Sequence, residues 1–154
     1  MSEPTFIPPR PPLLSFERRA MVYGTAAGLW LSGATWLLFH YFLTREGPFG
    51  PVPHPLEFGL LAAHGAFGFV ALFVFGLLWG AHIPAGWRSL RKRRSGILMF
   101  GLLAWLVLSS YLLYYLGNDE TVSALRIAHW AAGLAGPVPF LIHRFAAGRR
   151  GQSA

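Results

Sequence analysis

The chain contains no cysteine. Disulfides, iron–sulfur clusters, thiolate-bound zinc and the Cys-x-x-Cys-His attachment of covalent haem are all excluded by that absence. Charge is nearly as scarce. Asp, Glu, Lys and Arg make up 12% of the 154 residues, against about 25% in an ordinary soluble domain. Acidic residues number only 6. No paired carboxylates and no nucleophile–base pair fall within the apolar stretches, so hydrolytic chemistry is not expected.

What takes the place of charge is apolar: 54% of residues are hydrophobic and 16% aromatic. Four spans, about 20–44, 58–83, 96–117 and 122–145, are almost free of Asp, Glu, Lys and Arg. Each is near the ~20 residues that cross a bilayer. A soluble core of this size cannot bury four helices apolar all round. The spans show no strand-like alternation, and lipid demands backbone groups satisfied internally, so they are expected to be helices.

The net charge of +7 looks at first like a nucleic-acid signal, but its distribution accounts for it otherwise. Arg10, Arg18 and Arg19 precede the first span; Arg88, Arg91, Lys92, Arg93 and Arg94 fill the middle loop; Arg144, Arg149 and Arg150 follow the last. On the other side stand only Arg45 and Arg126, with Glu46, Glu57, Asp119 and Glu120. This is the positive-inside pattern for four spans with both termini in the cytoplasm. No nucleic-acid partner is expected; the Arg88–Arg94 cluster suits anionic lipid. The expected fold is all-α, a four-helix transmembrane bundle of the bacterial inner membrane. A Pro-rich cytoplasmic tail occupies 1–19, the membrane domain 20–146 and a basic tail 147–154. Arg18-Arg19 makes a poor twin-Arg signal: the apolar run is too long and no small-residue cleavage site follows, so an uncleaved first helix is expected.

In the first span Gly24, Gly28, Ser32 and Gly33 form a small-residue strip for close packing, against a helix or a flat macrocycle. The connector 45–55 is rich in proline and glycine, and its His54 reads as a solvated loop histidine. Pro84 and Gly86 are expected to end the second helix. In the third, Ser109, Ser110, Tyr111, Tyr114 and Tyr115 cluster at the outer end, as interfacial tyrosines do. The fourth is expected to start from a cap at Thr121 or Ser123, and to bend at Pro137 and Pro139. A weak repeat relates AAHGAFG of helix 2 to IAHWAAG of helix 4 and suggests two related hairpins.

Four histidines carry the chemistry. His64 and His82 lie 18 residues apart and share a helix face, roughly 27 Å apart. His129 and His143 lie 14 apart and share a face, roughly 21 Å apart. Isolated polar groups are expensive in lipid, and neutral imidazole is an axial ligand for haem iron. Two such helices side by side offer two His–His pairs at two depths. Gly68 and Gly133, one turn from His64 and His129, leave room for a porphyrin plane. His40 lies near the depth of His64 and His129. It is open to three roles, replacing one of them as ligand, contacting a propionate or carrying protons from a quinol, beside that of a satisfied interfacial histidine. Arg126, one turn before His129, is placed to pair with an outer propionate, and Arg144 or Arg88 with an inner one; snorkelling to the interface is the alternative.

These residues resemble a known family. The four spans with paired histidines on the second and fourth, and the run SSYLLYYLGN…RIAHWAAGL…H, are similar to the small bacterial di-haem b-type cytochromes of the cytochrome b561-like superfamily, in particular the flavinylation-associated group. The resemblance covers about residues 20–146. It implies two non-covalent b haems held by His64 with His129 and His82 with His143, and electron transfer between a quinol or redox partner and an acceptor protein. The rival expectation is a membrane anchor or assembly subunit of a periplasmic redox enzyme with one haem or none. A third is a metal-handling protein using His40, His64 and His129.

Overall fold

The computed structural model describes residues 14–88, 93–116 and 120–145. Most of the Pro-rich tail, Arg91 and Lys92 of the basic loop, positions 117–119 and the basic tail lie outside the described residues.

The chain is mostly helical. Helix α1 (Phe16–Phe42) is followed by a small hairpin of β1 (Arg45–Gly47) and β2 (Gly50–Val52), then α2 (Leu56–Arg88), α3 (Arg93–Tyr115), α4 (Glu120–Ala135) and α5 (Pro137–Phe145). Among the described residues three helical stretches are long and apolar enough to cross a membrane: Glu57–Gly80, Arg93–Tyr115 and Glu120–Phe145. The first expected span is a 27-residue helix but does not join them. Thr25, Ser32, Thr35, Trp30, Trp36 and its glycines dilute its apolar character.

Local chemistry sets the ends. Ser15 caps α1, its side chain accepting from the Arg18 amide, a preferred N-cap arrangement. The connector is not merely turns: its strands pair antiparallel in register Arg45↔Val52 and Glu46↔Pro51. Gly50, at φ 117°, takes a backbone conformation costly for any other residue. His54 is not a plain solvated histidine. Its Nδ1 accepts from the Leu56 amide at 3.2 Å, and its ring packs edge-on against Phe39, so it serves as the N-terminal cap of α2.

Two helix ends differ from expectation. Helix α2 runs through Pro84 and Gly86 to Arg88. A proline removes one backbone donor, and so near the C-terminus that loss is small beside the bonds that remain. Helix α4 starts at Glu120, ahead of Thr121 and Ser123, its carboxylate in the first turn where the helix dipole favours negative charge. The expected bend is a full break at Gly136, whose amide donates to the Gly133 carbonyl at 3.1 Å. Trp30 braces the break from α1, its indole N–H donating to the Leu134 carbonyl at 3.2 Å.

Helix α1 packs on α2, and α3 on α4 and α5; α1 also meets α4, and α2 meets α3. Among the described residues α2 makes no close backbone contact with α4 or α5, nor α1 with α3. Burial is inverted relative to a water-soluble domain. Ser109 is 0% exposed and Ser32 9%, whereas Phe58 is 83% and Phe69 77% exposed. A water-soluble chain hides such aromatics; here the apolar side chains face outward, where lipid is their natural partner.

Candidate functional site

The site lies between helices whose backbones, among the described residues, do not come close to one another. His64 of α2 and His129 of α4 stand towards the end of the molecule that carries the β-hairpin. His82 of α2 and His143 of α5 stand towards the other end, which carries Arg88, Arg93, Arg94 and Arg144.

Hydrogen bonds settle which nitrogen of His64 carries the proton. Its Nδ1 lies 3.1 Å from the Leu29 carbonyl oxygen and 3.1 Å from Ser32 Oγ. A carbonyl only accepts, and the single hydroxyl proton of Ser32 is directed at the Gly28 carbonyl, 2.7 Å away. Both neighbours must therefore accept from Nδ1–H, which leaves the lone pair on Nε2. His129 is held in a similar way: Ser109 Oγ lies 2.8 Å from its Nδ1 and 3.2 Å from the Leu106 carbonyl. Neither ring makes a hydrogen bond through Nε2 among the described residues.

The second pair repeats the motif at the basic end. Ser95 Oγ lies 3.0 Å from Nδ1 of His143. The ring centres of His82 and His143 are 6.3 Å apart, with planes at 79°. Two imidazoles gripping one metal ion from opposite sides, each through a bond near 2 Å, have ring centres about 6 Å apart. The observed spacing fits that grip.

The small residues differ in what surrounds them. A methyl group added at Gly68 would meet nothing within 4 Å, whereas at Gly133 it would touch Leu106 at 3.9 Å. Gly33, part of the small-residue strip of α1, is the tightest against a ligand candidate: an added Cβ would lie 2.9 Å from His64 Cε1. Arg126 is exposed on α4, three residues before His129. Arg144 donates to the Tyr23 hydroxyl at 2.9 Å, which ties α5 to α1.

His40 stands apart from the paired rings. Its Nδ1 bonds Glu57 at 2.5 Å, and its ring stacks on Trp36 at 4.6 Å. Among the described residues no three His, Cys, Asp or Glu side chains converge to hold a metal ion. A cage built from protein ligands alone, as the metal-handling expectation needs, is not formed there. A macrocyclic metal asks less of the protein, because four ligands come with the ring and two imidazoles complete the set.

The serines are the residues that sequence reasoning missed. Ser32 reads as part of a packing strip, and Ser109 as a neighbour of interfacial tyrosines. The available signal was a hydroxyl in an apolar span at the depth of a histidine on the next helix. Among the described residues two buried indole nitrogens, Trp36 Nε1 and Trp130 Nε1, have no hydrogen-bond partner. Such orphans inside a membrane protein are costly and leave donors available to a bound group.

No family model, curated protein or solved structure matches this chain.

Proposed function

We propose that the chain is an integral membrane di-haem cytochrome b, similar to the cytochrome b561-like superfamily. In this reading it transfers electrons between a quinol or redox partner and an acceptor protein. Helices α1, α2, α3 and α4–α5 form a four-helix bundle, with α2 and α4–α5 on its diagonal. The basic end, with Arg18, Arg19, Arg88, Arg93, Arg94 and Arg144, lies in the cytoplasm, and the hairpin end, with Glu46, Glu57 and Glu120, on the far side of the inner membrane.

The observation that carries the reading is the hydrogen bonding of both rings at Nδ1, His64 to the Leu29 carbonyl and Ser32 and His129 to Ser109. Each ring is held at Nδ1 by a serine hydroxyl, and neither hydrogen-bonds through Nε2 among the described residues. Metal-ligating histidines are oriented in this way by partners in the second shell. The 6.3 Å spacing of His82 and His143 supports a second such site. His64 with His129 would hold one haem and His82 with His143 the other, with Gly68 beside the first. Bound haem supplies one-electron transfer. The protein supplies axial nitrogen, fixed ring orientation and a lining that excludes water. The Trp130 indole N–H, without a hydrogen-bond partner among the described residues, is a donor for a propionate at the hairpin end, and Arg126 lies one turn before His129.

A visible spectrum of protein purified from haem-replete cells tests the reading. A Soret band with the signature of six-coordinate low-spin haem is expected. Protein that carries no haem under those conditions leaves the anchor or assembly role in its place.

A further inference from the structure

Away from the paired histidines, a shallow furrow follows the seam of α1 and α2 at the basic end. Leu14, Met21 and Val22 line one side and Val74, Leu77 and Leu78 the other, with Arg18 as the single polar residue. The furrow encloses only about 10 Å³, room for no more than a water. A compact molecule finds no place there, whereas a flexible chain can lie along it. Val74 is buried, and Met21 and Leu77 are 42% and 46% exposed, so in a membrane the furrow opens to lipid.

The depth of Arg18 follows from the register of the two helices. Leu29 and Ser32 of α1 meet His64 of α2, and an atom added at Gly28 would run into the Phe67 ring. The two helices are therefore antiparallel. Arg18, 14 residues before Ser32, is level with Leu78, 14 residues after His64. The apolar stretch of α2 ends at Gly80. Arg18 thus stands at the edge of the hydrocarbon, the depth of phospholipid phosphates, and Val22 and Val74 lie deeper. Helical side chains lean towards the N-terminus, which carries the guanidinium outward while its methylenes stay against apolar surface.

Charge selects among lipids. Among the described residues neither Arg18 nor Arg19 forms an ion pair. Glu17 shares their turn and offsets only one of the two, and the amide dipoles at the start of α1 add positive potential. Three other arginines of this end are placed elsewhere. Arg93 lies over the Trp87 ring, Arg144 donates to the Tyr23 hydroxyl, and Arg88 follows Leu78 by about 15 Å along the helix axis.

We propose that the furrow is a binding site for one anionic phospholipid of the surrounding bilayer. Arg18 holds the phosphate, Arg19 adds charge beside it, and an acyl chain lies along Met21, Val22, Val74 and Leu77. A guanidinium grips a phosphate through two parallel N–H donors, and basic positions between membrane helices suit acidic head groups. A choline lipid carries the same phosphate, but its own cation cancels the charge that Arg18 and Arg19 would meet. The site stands apart from the paired histidines and needs no haem.

Native mass spectrometry of the full chain in detergent, with equal amounts of dioleoyl-phosphatidylglycerol and dioleoyl-phosphatidylcholine as probes, tests it. Masses separate the two lipid adducts and also separate haem-bound from haem-free protein, so the lipid site is read whether or not haem is present. Among chains carrying one lipid, phosphatidylglycerol is expected to exceed phosphatidylcholine about fivefold, as one surface arginine on an acidic lipid supplies. Arg18→Gln is expected to bring the two close to parity. Leu77→Trp and Met21→Trp keep every charge and fill the furrow from opposite sides; each is expected to lower the phosphatidylglycerol adduct severalfold. Arg94→Gln removes a charge from α3, which makes no close backbone contact with α1 among the described residues, and is expected to leave the preference as it is. Circular dichroism checks that the variants keep their helices. Absence of a preference in the wild type overturns the proposal, as does a preference that survives Arg18→Gln or both tryptophan variants. Equal losses in Arg94→Gln and Arg18→Gln overturn it too, by assigning the preference to diffuse surface charge.

Discussion

Ser109 Oγ lies 2.8 Å from His129 Nδ1, a hydrogen bond that joins a hydroxyl of α3 to a ring nitrogen of α4. Ser109→Ala removes that partner and leaves a buried ring nitrogen unpaired, a loss of about 1–3 kcal/mol. Loss of a partner of this kind lowers metal affinity about 10–100-fold. In the haem-bound protein the expected outcome is a shifted midpoint potential for one haem and weaker retention of it, with the other unchanged. Redox titration followed optically checks this. Two unshifted potentials would remove Ser109 from any role in orienting the ligand.

The glycines separate a porphyrin pocket from ordinary helix packing. An added side chain at Gly68 meets open space in the protein itself, so Gly68→Leu is expected to leave folding intact while blocking haem uptake beside His64. At Gly33 the added atom would press on the His64 ring, and Gly33→Val is expected to cost about 1–3 kcal/mol through overpacking. Circular dichroism and haem content together read both. Full haem content in Gly68→Leu would place the macrocycle elsewhere.

His40 is paired with Glu57, which argues against the ligand role left open for it in the sequence. His40→Ala is expected to retain full haem content and the low-spin spectrum of the wild type. Loss of one haem equivalent in that variant, read by the reduced spectrum, would make His40 an axial ligand.

The order of the histidines along each helix was legible because it depends on spacing. Histidines 18 and 14 residues apart on apolar helices can only stack in depth, and the charge distribution orders the ends. What was not legible depends on which faces meet. The hydroxyls of Ser32 and Ser109 acquire meaning only when α1 lies against α2 and α3 against α4, since a serine in an apolar span packs equally well with its proton turned to its own helix. Nor could the sequence give the pairing of His40 with Glu57, which the turn of the β-hairpin brings about. The break at Gly136 was half visible. Pro137 and Pro139 announce a bend, but the brace from Trp30 to Leu134 is a tertiary contact across 104 positions.

That brace makes its own prediction. The last carbonyls of a helix lack intrahelical donors, and the indole of Trp30 supplies one. Trp30→Phe keeps the ring and removes the N–H, at an expected loss of about 1 kcal/mol, seen as a lower unfolding midpoint in detergent with haem content unchanged. An unaltered midpoint would mean that another donor serves Leu134.

The most direct test of the central claim is the ratio of haem to protein by pyridine haemochrome, in the wild type and in His82→Ala and His129→Ala. Two haems per chain are expected, falling to one in each variant, because each substitution removes one of the two axial nitrogens from a different site. A wild-type ratio of one, with His82→Ala unchanged, would contradict the site at the basic end; a ratio of zero would contradict the cytochrome reading altogether.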